Sequence, residues 1–168
     1  MHEDLRARFA AVVDRYGPAI RRVAEGLERD PARREELVQD VLLAVWTALP
    51  GFRDEANLRT WVLRIAHNRG ASHVATRVRD RSTPVAETPD STEAADLEDA
   101  VEQARQRARL ARLVRELPVP DRLLMLLYLE GLTAKEIGEV TGRSVTAVTS
   151  RVSRIKKSLI RDLRAEAS

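Results

Sequence analysis

Apolar residues recur in this chain at intervals of three and four, and nowhere do they alternate with polar ones for long enough to make a half-buried strand. The backbone must therefore satisfy its hydrogen bonds within helices. Leu5, Phe9, Val12, Val13 and Tyr16 trace one apolar stripe. Gly17-Pro18 is expected to restart the chain, and Ile20, Val23, Ala24 and Leu27 continue as a second helix. Asp30-Pro31 opens a third, which buries Leu37, Val38, Val41, Leu42, Val45 and Leu49 and stops at Pro50-Gly51. Asn57 is placed to cap a fourth, with Leu58, Trp61, Val62 and Ile65 inward and Arg59, Arg64 and Arg69 on its other faces. A composition rich in Ala, Leu, Arg and Glu, with 4% aromatic residues, agrees with an all-α fold.

The periodicity lapses over residues 81–93, RSTPVAETPDSTE, which hold two prolines and almost nothing large and apolar. Such a segment buries too little surface to offset the entropy of ordering it. The expected organisation is two small helical domains, 1–80 and 97–168, joined by a flexible acidic linker over 81–96. After the linker, 97–117 reads as a helix ended by Pro118 and Pro120, and Asp121 caps an apolar one that runs through Leu129 to Gly131. Thr133 and Glu136 fit a capping box opening a short helix with Ile137 and Val140 inward. Thr141-Gly142-Arg143 turns the chain, and Ser144 caps a last helix with Val145, Val148, Val152, Ile155 and Leu159 inward.

The absence of cysteine excludes disulfides, thiolate metal sites and cysteine nucleophiles, and makes the cytoplasm the default compartment. Glu3 and Asp4 stand where a signal peptide would be basic, and the longest apolar run, 123–129, is too short to cross a bilayer, so neither export nor membrane insertion is expected. His67 and His73 lie six residues apart, on different faces of one helix, and no glycine-rich phosphate loop is present. Each histidine therefore reads as a surface or DNA-adjacent residue. No catalytic residues, metal or cofactor are expected, and the chain is not read as an enzyme.

Net charge is only +3, but the charges are segregated. Residues 59–81 hold six Arg against one Asp, 80–100 seven acids against one Arg, and 143–164 seven basic residues against one Asp. The C-terminal basic block falls on the longer helix of a helix-turn-helix, the element that lies in the DNA major groove. With Val148 inward, Thr146, Ser150, Ser153 and Lys157 face outward, flanked by Thr149 and Arg154. Small hydroxyls allow close approach to base edges, while Arg151, Arg154, Lys156 and Lys157 are in reach of phosphates. The other basic block adjoins Phe52-Arg53 and includes Trp61, His67 and Asn68, a set suited to unpaired bases, although Trp61 fits the apolar stripe and Phe52 also fits as a plug at the helix junction.

The strings LVQDVLLAVW (37–46), Phe52-Arg53 and LRTWVLRIAHNR (58–69) resemble region 2 of extracytoplasmic-function sigma factors, and 117–163, with LEGLTAKEIG and SVTAVTSRV, resembles their region 4. The resemblance implies a protein that binds core RNA polymerase and directs promoter recognition, melting and initiation. It implies that Glu36, Gln39, Asp40 and Leu43 dock on the β′ clamp helices and that the β flap is a further polymerase contact. Phe52, Arg53, Asn57, Arg64, Asn68 and Ser72 are implied to meet the minus-10 element as an unpaired strand. Thr146, Thr149, Ser150, Arg151, Ser153, Arg154 and Lys157 are implied to meet the minus-35 duplex. The linker would thread toward the active-site and RNA-exit channels, and an anti-sigma factor is a further expected partner. The alternative is a helix-turn-helix regulator that does not bind polymerase as a sigma factor. An N-terminal receiver domain of such a regulator needs alternating strands and helices, which the pattern lacks.

Overall fold

The computed structural model of the chain describes residues 2–54, 57–80 and 98–167. The proposed linker, 81–96, lies wholly outside them. Helices α1 (His2–Leu27), α2 (Pro31–Ala48) and α3 (Leu58–Arg79) come from the first half, with a 3₁₀ turn, Leu49–Gly51, closing α2. Helices α4 (Glu98–Glu116), α5 (Val119–Leu129), α6 (Ala134–Thr141) and α7 (Val145–Glu166) come from the second.

The expected break at Gly17-Pro18 does not occur, so the first half has three long helices rather than four. A proline inside a helix forfeits one hydrogen bond and crowds the residue before it. Here that residue is glycine, which lacks the Cβ that would be crowded. Burial of Tyr16, Ala19, Ile20 and Val23 on both sides of the proline holds the helix continuous.

Helix α2 begins where Asp30 Oδ1 accepts the Arg33 backbone N–H at 3.0 Å, with Pro31 in the first turn, where its missing donor costs nothing. Asn57 caps α3 by accepting from the N–H groups of Arg59 and Thr60, at 3.0 and 3.4 Å. The three helices pack on one another around Ile20, Val45, Leu49, Val62 and Leu63, all 0–1% exposed.

The buried face of α3 differs from the expected one. Leu63, Ala66, Gly70 and Val74 are buried along with Thr60 and Val62, whereas Leu58, Trp61 and Ile65 are only half-buried. Helix α3 is covered twice, by α1 and α2 on one side and by α5 and α6 on the other. The second cover comes from the far half of the chain, so no local pattern announces it.

At the end of α1, Glu28 is 3% exposed and collects donors from three places. Its Oε1 accepts the Asp30 N–H at 2.9 Å, while Oε2 lies 2.8 Å from His73 Nε2 and 3.2 Å from Arg77 Nε. This replaces the surface reading of His73, whose side chain is 18% exposed. Burial pushes the Glu28 carboxyl up, but the His73 and Asp30 hydrogen bonds and the charges of His73 and Arg33 outweigh it and hold it below the usual carboxylate range. A depressed carboxylate stabilises the fold above its unfolded value and loses that contribution as pH falls through its folded value. Glu28→Gln should therefore destabilise the chain at pH 7 by about 1–3 kcal/mol. In denaturant titrations the gap from wild type should narrow as pH falls below the ordinary carboxylate range.

Candidate nucleic-acid interface

The C-terminal site is built on two caps and one glycine turn. Thr133 Oγ1 accepts the Glu136 N–H at 3.2 Å and Glu136 Oε2 accepts the Thr133 N–H at 2.7 Å, completing the capping box. The Thr133 backbone bond is the main cause holding the Glu136 carboxyl below its ordinary range. Gly142 takes φ +73°, the left-handed conformation, and the N–H groups of Gly142 and Arg143 both reach the Gly138 carbonyl, at 2.8 and 3.2 Å. Ser144 then caps α7, its Oγ accepting the Ala147 N–H at 3.1 Å.

Helix α7 seats Val148, Val152, Ile155 and Leu159 in the core. Val145, expected inward, is 50% exposed, because the opening turn of α7 stands clear of α5 and α6 and residues 143–147 are all exposed. On the outward face Thr146, Thr149, Ser150, Ser153, Arg154 and Lys157 are all exposed and share one surface. Arg151 is turned away from that surface. Its Nε and Nη2 form a two-pronged pair with Asp121 Oδ1 and Oδ2, at 2.6 and 2.8 Å. Asp121 is not a cap: α5 begins at Val119, and Asp121 is a buried carboxylate whose charge Arg151 neutralises. Lys156 Nζ sits 5.3 Å from the centre of the Tyr128 ring, a cation–π contact.

The N-terminal basic face has a different construction. Arg64, Asn68 and Ser72, spaced by four along α3, form an exposed stripe. Asn57 is exposed above it, with its carbonyl oxygen committed to the cap. Arg53 is exposed, while Phe52 is half-buried with its ring centre 4.8 Å from that of Trp61, joining the loop to the helix. Residues 55 and 56 lie outside the described part of that loop. Burial holds the His67 imidazole below its usual range, and its Nδ1 lies 3.3 Å from Asn68 Oδ1. His67 is thus neutral at pH 7 and gives this face its shape rather than charge.

Glu36, Gln39, Asp40 and Leu43 form a single exposed stripe on α2, with Leu43 63% exposed, the most open large apolar side chain described. Asp40 Oδ1 lies 3.8 Å from Arg69 Nη1, so this stripe abuts the basic face of α3. Among the described residues no cluster of His, Asp or Glu has the arrangement of a metal site, and no helix is long and apolar enough to cross a membrane. The Asp121–Arg151 and Glu28–His73 pairs escaped the sequence reading, since partners 30 and 45 residues apart leave no local signal.

Residues 12–80 match the family model for sigma-70 region 2, and residues 107–159 match that for sigma-70 region 4. The chain is 31% identical over 138 residues to the ECF RNA polymerase sigma factor SigC of Mycobacterium tuberculosis, covering 79% of this chain and 71% of that one. It is 28% identical over 153 residues to the ECF RNA polymerase sigma factor RpoE of Cereibacter sphaeroides, covering 90% and 83%. Among solved structures it is similar to the sigma factor RpoE of Bartonella quintana in complex with the anti-sigma factor NepR. That likeness has a TM-score of 0.71 at 25% identity, over 94% of this chain and 97% of that one.

A Cβ built on Gly138 would lie 2.6 Å from the Arg143 carbonyl oxygen, closer than packed atoms approach. At an open helix position Gly→Ala gains up to about 1 kcal/mol of helix propensity. Gly138→Ala should instead lose about 1–3 kcal/mol by forcing α6 off the turn. Thermal unfolding of the variant decides the sign.

Proposed function

Since the chain belongs to the extracytoplasmic-function branch of the sigma-70 family of RNA polymerase sigma factors, directing polymerase to promoters and catalysing nothing itself, we propose that its exposed faces divide that work among three stripes. The stripe of Glu36, Gln39, Asp40 and Leu43 is the seat for the β′ clamp helices of core polymerase. Phe52, Arg53, Asn57, Arg64, Asn68 and Ser72 take the minus-10 element as an unpaired strand. Thr146, Thr149, Ser150, Ser153, Arg154 and Lys157 read the minus-35 duplex, while Arg151 supports that helix through Asp121. The units behind them are 1–80 and 97–168, working in the cytoplasm where polymerase is. The β flap is a second polymerase contact. A similar sigma factor captured with the anti-sigma factor NepR supports an anti-sigma partner for this chain too.

The observation that carries this reading is the exposure of the α2, α3 and α7 stripes on helices whose opposite faces are packed into the core. A polar stripe made only for solubility has no need of an open Leu43 at one end or a row of small hydroxyls at the other.

Asp40→Arg should weaken core polymerase binding in a pull-down without changing the far-ultraviolet circular dichroism, because Asp40 is exposed and its only described partner is Arg69 at 3.8 Å. A collapsed helical signal would make Asp40 structural instead.

The two DNA faces separate on different templates. Ser150→Ala and Arg154→Ala should each cost about 1–3 kcal/mol of affinity on a fully duplex promoter, the typical loss for one base contact. Asn68→Ala should weaken binding to a promoter already melted across the start region, because its partner there is a base out of the stack. Wild-type binding of Asn68→Ala on melted and duplex templates alike would remove Asn68 from the site.

A further inference from the structure

The ends of α1, α3 and α4 and the start of α5 border a cavity of about 590 Å³ that includes no residue of the three stripes above. Its charged lining is five arginines, Arg29, Arg77, Arg112, Arg115 and Arg122, against three acids, Glu28, Asp80 and Glu116. Val74, Val78 and Val119 give it an apolar wall, and Val78 is 52% exposed, so the cavity opens to solvent there.

Two of the acids are already matched. Glu28 Oε2 lies 3.2 Å from Arg77 Nε and 2.8 Å from His73 Nε2. Glu116 Oε1 lies 3.4 Å from Arg112 Nη1, and Arg112 Nη2 pairs with Glu166 at 2.5 Å. Arg115 gives Nη1 to the Glu25 carbonyl at 2.7 Å. Arg122 is held differently. Its Nη2 donates to the Leu117 carbonyl at 3.1 Å, a dipole rather than a charge. Its Nε is shielded from solvent and has no acceptor among the described residues, and no carboxylate there pairs with it. Hydrogen bonds to carboxylates raise the pKa of Arg22, Arg112 and Arg151, whereas burial lowers that of Arg122 with nothing to oppose it. A half-buried cation without a counter-charge destabilises the fold, and an anion beside it offsets part of that penalty.

We propose that this cavity is a binding site for a small organic phosphate, whose phosphoryl group meets the Arg122 guanidinium and whose apolar part lies on Val74 and Val119. The lining's surplus of two positive charges matches a phosphate monoester, which carries about −1.5 to −2 at pH 7. Guanidinium groups present paired donors in a fork that fits phosphate oxygens. A volume of about 590 Å³ is far more than inorganic phosphate fills and lies within the roughly 300–1,000 Å³ usual for small-molecule sites, so the fit is to a ligand of nucleotide size. Arg122 belongs to neither proposed DNA face, which separates this site from any nucleotide bound on those faces.

Calorimetric titration of the full chain at fixed ionic strength tests the site, with the four nucleoside monophosphates as probes and the nucleosides and inorganic phosphate as controls. At least one monophosphate should bind at one site per chain, at least about tenfold tighter than its nucleoside or inorganic phosphate. Arg122→Met should weaken that binding at least about tenfold, the loss expected for one hydrogen bond to a charged group. Affinity unchanged in Arg122→Met would put the nucleotide on the DNA faces and overturn the site. So would the absence of saturable binding by any monophosphate, or a nucleoside that binds as tightly as its monophosphate.

A second variant guards against a folding defect. Val78→Trp fills the mouth of the cavity from an exposed position and alters no charge, so it should weaken binding at least about tenfold with the wild-type circular dichroism. Without ligand, Arg122→Met should unfold at a temperature no lower than wild type, because it removes a cation that has no counter-charge. If Arg122→Met unfolds early instead, Val78→Trp decides: binding retained in it overturns the proposal, and binding lost upholds it.

Discussion

Helix α3 is covered on two sides, and the place of the proposed minus-10 face follows from that. Its Val62, Leu63 and Ala66, at 0–1% exposure, are buried between the α1–α2 pair and the α5–α6 pair. A helix with both flanks occupied keeps one stripe for solvent, and in α3 that stripe carries Arg64, Asn68 and Ser72. The position of the proposed minus-10 face is thus what remains when the core has been satisfied. The same burial fixes where Thr60 and Arg59 point, toward α6 and the end of α5.

Charge is handled in the interior by pairing. Asp121, Glu28 and Glu130 each sit in a largely buried place, and each has an arginine or histidine within hydrogen-bond distance. An unpaired carboxylate in any of these places would cost several kcal/mol. The partners come from other helices in every case, so these pairs fix relative helix placement as well as neutralising charge. Asp121–Arg151 ties α7 to α5, and Arg22–Glu130 ties α1 to the end of α5. At the far end of α7, Glu166 takes Arg109 at 2.6 Å and Arg112 at 2.5 Å, tying that end to α4.

These ties fall within and between the two stretches that match the family models. Asp121–Arg151 and the Gly138 turn lie within the stretch matching region 4. The contacts of Glu130 and Glu136 run from that stretch to α1 and α3, in the stretch matching region 2.

Local chemistry made much of the molecule legible. The Asp30, Asn57, Thr133 and Ser144 caps, the glycine turn at Gly142 and the exposed row from Thr146 to Lys157 each depend on residues within a few positions of one another, and each stands where the sequence places it. The misreadings share one cause. Pro18 inside α1, the inward turn of Leu63 and Ala66, the burial of Asp121 and the exposure of Val145 all depend on which helix lies alongside. Periodicity tells a residue which way to face on its own helix but not whether a second helix will arrive on the other side. Caps and turns were therefore determined by the sequence alone, because their partners are neighbours in the chain, whereas the second cover over α3 and the ion pairs beneath it were decided only when distant segments packed together.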